Sequence, residues 1–123
     1  MTDKDTICTA FEAAVADIVP AYLAEAETDE YPFLVYNYTA KPILTKNGPE
    51  GLEAYLTADI VADVFETAED KAGAVAAAVR INMSEYGVIP QSLSRNCTDG
   101  VWEIELVWTV RQHTIPEDED NND

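Results

Sequence analysis

The chain has 123 residues, 47% of them apolar, with 24 Asp and Glu against seven Lys and Arg, for a formal net charge of -17. That length suits one domain able to bury its own core, and the apolar content excludes a disordered chain. The negative balance disfavours direct binding to a nucleic-acid backbone or an anionic membrane. No apolar run reaches the ~18 residues of a membrane span, and the opening MTDKDTICTAF lacks the basic-then-apolar order of a secretory signal, so synthesis and assembly inside a cell are expected.

The elements follow in order. Ile7, Phe11, Ala14, Val15 and Ile18 recur at three- and four-residue intervals and predict a helix over 6–19, with Thr6 as N-cap and Pro20 ending it. An acidic connector leads to PFLVYNYTA at 32–40, a β-branched and aromatic strand. Leu34, Tyr36 and Tyr38 share one face of it; Phe33, Val35 and Asn37 share the other. KPILTKNGPEG reads as a second short extended piece closing in a turn at Asn47-Gly48. Leu52 to Phe65 alternates with period two and predicts one long strand.

Residues 67–86 are alanine-rich and predict a helix, with a capping-box-like Thr67 and Asp70 at its start and Gly87 and Pro90 at its end. Ala68, Ala72, Val75, Ala76, Val79 and Met83 form a narrow stripe that lets this helix lie close on a sheet. Asp99-Gly100 between 91–98 and 101–112 predicts a hairpin, with Trp102, Ile104, Leu106, Trp108 and Val110 on its buried face. The expected fold is α+β: an antiparallel or mixed β-sheet with two helices packed on it, a single domain over 1–113, and an acidic disordered tail over 114–123.

The charge is uneven along this plan. Residues 1–30 carry eight acids and one base, and 114–123 carry five acids and no base, so the two ends hold -12 of the -17.

Catalytic patterns are absent from the sequence. There is no glycine-rich phosphate loop, no GxSxG and no HExxH. The one histidine, His113, stands at the end of the last strand, and Cys8 and Cys97 have neither CxxC nor Cys/His spacing, so a metal site and a thiol nucleophile are not expected. The carboxylate pairs Asp59/Asp63 and Glu103/Glu105 each share a strand face and read as solvated charge, and the EDED at 117–120 lacks an EF-hand loop. The expectation is no enzyme, with catalytic, cofactor and metal residues all none.

Aromatic residues are more informative. Two short helices cannot cover both faces of the sheet, so some aromatics of the early strands are left for a protein interface: Phe33, Tyr36, Tyr38 and Tyr55 are the candidates.

The succession resembles a family. A leading helix, the proline-preceded aromatic strand Tyr31–Tyr36, the long strand Ala58–Phe65 running into an alanine-rich helix with Glu69, Asp70, Lys71 and Ala72 at its start, and the closing strand Trp102–Val110 are similar to tail-terminator (tail-completion, minor tail) proteins of long-tailed bacteriophages and prophages. The resemblance covers roughly residues 6–112. It implies a virion tail protein, assembled in the host cytoplasm, forming a ring, commonly of six subunits. Such a ring caps the tail tube and meets the tail-tube and head-completion proteins. DNA would pass a negative lumen without sticking. The family has no catalytic residues or cofactor to transfer. The competing reading of the same charge is an acidic binding module, such as a DNA mimic that inhibits a nucleic-acid-binding protein.

Overall fold

A computed structural model describes the backbone of residues 4–45 and 48–112, and the side chains of 5–40 and 54–110. The chain runs α1 (Lys4–Val15), β1 (Ala21–Leu23), β2 (Phe33–Thr45), β3 (Gly48–Ala62), α2 (Phe65–Asn82), a 3-10 turn (Ser84–Tyr86), β4 (Val88–Thr98) and β5 (Val101–Gln112). The strands form one sheet in the order β1-β2-β3-β5-β4. Among the described residues only the β1–β2 pair is parallel, so the sheet is mixed. This is the expected α+β fold with two helices. The predicted tail, His113 and Asn47 lie outside the described residues.

One face of the sheet carries the core. Leu34, Tyr36, Leu56, Ala58, Ile60, Ile104 and Val110 are buried there, and Ile7, Phe11 and Val15 from α1 and Ala68, Ala72, Val75 and Val79 from α2 pack down on them. Phe11 meets Tyr36 at 4.9 Å between ring centroids and Trp108 edge-on at 6.1 Å. The small residues of α2 bring that helix close to the strands, as the stripe implies, and Met83 closes the far end.

Local expectations are corrected at several points. α1 ends at Val15, where Ile18 and Val19 donate back to the Val15 carbonyl in a closing turn, and Val19 takes the buried place expected of Ile18. The helix already runs from Lys4, so Thr6 lies inside its first turn rather than capping it. The two extended pieces over 32–51 belong to one hairpin: β2 continues through Pro42 to Thr45, and Thr45 pairs with Gly48 of β3. Pro42 is tolerated because β1 reaches only Leu34–Tyr36, leaving β2 a partner on one side there.

β3 ends at Ala62 and α2 starts at Phe65, two residues before Thr67. Its N-cap is Val64, extended and with no side-chain hydrogen bond. The strand runs into the helix through two residues, so the sheet sets the helix start and the capping-box reading fails. The helix stops at Asn82, and Gly87 at φ 67 turns the chain into β4. At the last hairpin Asp99 and Gly100 both have positive φ (52 and 81), the geometry an Asp-Gly I′ turn supplies.

Candidate functional site

Both helices occupy one face, so the opposite face and the two edges of the sheet are left as surfaces for association. The open face reads as rows across the strands: Phe33–Val61–Glu103, Val35–Asp59–Glu105, Asn37–Thr57–Val107 and Thr39–Tyr55–Thr109. Glu103 and Glu105 of β5 are exposed on it, while Phe33, Val35, Tyr55, Val61 and Val107 are half-buried between neighbours.

The four aromatics proposed from sequence divide between the faces. Phe33 and Tyr55 lie on the open one, and Phe33 stacks on Tyr31 at 5.8 Å and 16°. Tyr36 (0% exposed) and Tyr38 (7%) are buried on the helix face and are corrected from interface to core. The period-two alternation had already separated them from Phe33; α1 then covers that side of β2. The Tyr36 hydroxyl donates to a Glu12 carboxylate oxygen at the rim of α1. Burial first, and then this bond, push the hydroxyl above its ordinary range, so it stays a donor.

Asp59 is the electrostatic feature of the open face. It pairs directly with Glu105 and lies one row from Glu103. Burial, followed by repulsion from Glu103 and Glu105, raises its carboxyl to about 6. The sequence pairing of Asp59 with Asp63 does not hold, because Asp63 lies past the end of β3. The cross-strand Asp59–Glu105 neighbour was invisible without the register. Among the described residues no group of three His, Cys, Asp or Glu is placed to hold a metal ion. Cys8 is buried and Cys97 exposed, and neither forms a disulfide among the described residues.

At one end of the sheet an apolar group gathers. Tyr31, Val64 and Phe65 are exposed, and Phe65 packs edge-on against Trp102 at 4.7 Å. At the other end β2 and β3 run on as a two-stranded ribbon, since β5 pairs with β3 only from Leu52 onward. The outer edges of the sheet are β1 and β4. In β4 every residue but Val88 is exposed, and Arg95 forks onto Glu69 of α2 at 2.5 and 3.0 Å, holding that carboxyl below its usual range.

No protein-family model and no curated protein matches the sequence. Solved structures do share the fold. A chain from the virion of a native gene transfer agent particle superposes with a TM-score of 0.59 at 16% identity, over 84% of this chain and 84% of that one. A second solved structure, whose name states no role, superposes with a TM-score of 0.58 at 11% identity, over 95% of this chain and all of the other. The chain therefore has an α+β fold that also occurs in a gene transfer agent virion.

Proposed function

We propose that this protein is a non-enzymatic virion structural protein of the tail-terminator type, whose copies close into a ring that caps a tail tube and joins it to a head. The observation that carries this reading is the shared fold, over 84% of both chains, with a component of the gene transfer agent virion. The surfaces support it. One sheet face lacks a helical cover, and the two sheet edges differ in length, sequence and charge, which suits head-to-tail contact between copies and rotational closure.

A chain at -17 repels its own copies, so association strengthens as salt screens the charge. Sedimentation at tens of micromolar, at low and moderate salt, tests this. A ring-sized particle that grows with salt is the expected result. A monomer at every salt concentration that binds a basic DNA-binding protein tightly would overturn the ring and favour the acidic mimic.

A further inference from the structure

The helix α2 does not reach the edge strand beside it. Glu69, Gly73, Ala76 and Arg80 follow one another along the flank of α2 that faces β4, and a side chain added at Gly73 would meet no atom within 4 Å. A groove of about 300 Å³ opens between this flank and β4. Ala76 and Arg80 form one wall, Pro90 and Leu93 the other, and Leu106 and Trp108 lie at the floor. Leu93 is 45% exposed, and among the described residues the backbone of β4 pairs only with β5. The groove is thus an apolar slot running along an open strand edge, a form that accepts an added strand.

Charge says what fits it. Arg80, exposed and cationic, lines this groove, while Arg95 further along β4 is held by Glu69. The opposite edge of the sheet has the reverse character. No Lys or Arg stands between Asp5 and Ala40, and Glu25, Glu27, Asp29 and Glu30, just after β1, are all exposed. β1 itself ends in Leu23, 43% exposed, before Ala24 turns the chain away at φ 69. Leu23 pairs with Tyr36, which places it on the helix side of the sheet, the side on which the groove opens.

We propose that the groove between α2 and β4 receives the β1 edge of a second copy, with Leu23 seated beside Leu93 and the acidic segment 25–30 against Arg80. The sheet then continues from one subunit to the next with its helices on the same side, and each subunit uses one edge as donor and the other as acceptor. This heterologous contact is the kind that closes rings. Because β1 has three residues, the backbone bonds it adds are few, and the apolar seat and the charge pairing supply the selectivity. The proposal rests on the ring reading above.

Two variants test it, both at exposed positions so that the core is untouched: Arg80→Glu with Leu93→Asp disables the groove, and Leu23→Asp disables the donor edge. Circular dichroism verifies folding, and Arg80→Glu alone replaces the double variant if Leu93→Asp unfolds. Under conditions where the wild type assembles, each variant alone stays monomeric. Mixed, they form a one-to-one heterodimer and nothing larger, because each retains one working surface. Combining Arg80→Glu with Glu25→Lys and Glu27→Lys in one chain restores assembly at least about tenfold over Arg80→Glu. Wild-type rings with variants that assemble equally well, or a folded mixture that stays monomeric, overturn this contact and leave the ring standing. A wild type that never assembles overturns both.

Discussion

Replacing Asp59 by Asn removes a charge that the fold holds at a cost. The Asp59 carboxyl rises from 3.8 to about 6 because the folded state half-buries it between Glu105 and Glu103. Roughly two pH units at 1.36 kcal/mol each set a ceiling of about 3 kcal/mol. Water still reaches the group, and screening brings the expected effect to about 1 kcal/mol. The sign follows from proton binding. Above pH 6 the carboxyl is ionised in both states, and the folded state bears the whole penalty. Between about 6 and 4 the folded state binds more protons than the unfolded one, so this contribution favours folding progressively as pH falls. Asp59→Asn is neutral throughout. It should therefore be about 1 kcal/mol more stable than wild type at pH 8, with most of that advantage gone by pH 4.5, still above the pI of about 4.1. Urea unfolding followed by tryptophan fluorescence at both pH values measures it, since urea leaves ionic strength unchanged. An advantage of equal size at pH 8 and pH 4.5, or a loss of stability at pH 8, would refute the placement of Asp59 among the glutamates.

Other outcomes follow from packing. Trp108 is 3% exposed and lies against Phe11, so Trp108→Ala should cost about 3–5 kcal/mol in chemical denaturation; a loss below about 1 kcal/mol would contradict its position in the core. Gly73 sits mid-helix with open space where a side chain would go, and Gly73→Ala should raise stability by about 0.5–1 kcal/mol, read as a higher thermal midpoint. Deleting residues 116–123 should leave unfolding cooperative, because the sequence PEDEDNND offers no large apolar side chain to dock; a broadened transition would show that the segment contributes to the core.

Much of the fold was legible because it is written in local periodicity. The alternation from Ala54 to Ala62 and from Ile104 to Val110 names the buried face of β3 and β5 correctly, and Ala68, Ala72, Val75 and Val79 name the buried side of α2. Asp99-Gly100 specifies its turn through the positive φ it tolerates. These signals depend on neighbours in sequence, which a single chain displays directly.

What only the tertiary structure decided depends on neighbours across space. β1 has three residues and no alternation to read; it exists because β2 offers it an edge. Val64 became the N-cap over Thr67 because the end of β3 dictates where α2 begins. Tyr36 and Tyr38 were lost to the interface because α1 covers their side of β2, whereas Phe33 and Tyr55, on the other side, were left uncovered by any helix. Asp59 acquired Glu105 as its neighbour through a pairing of strands nearly fifty residues apart. Alternation assigns a residue to a face, but strand register and helix placement decide what that face meets.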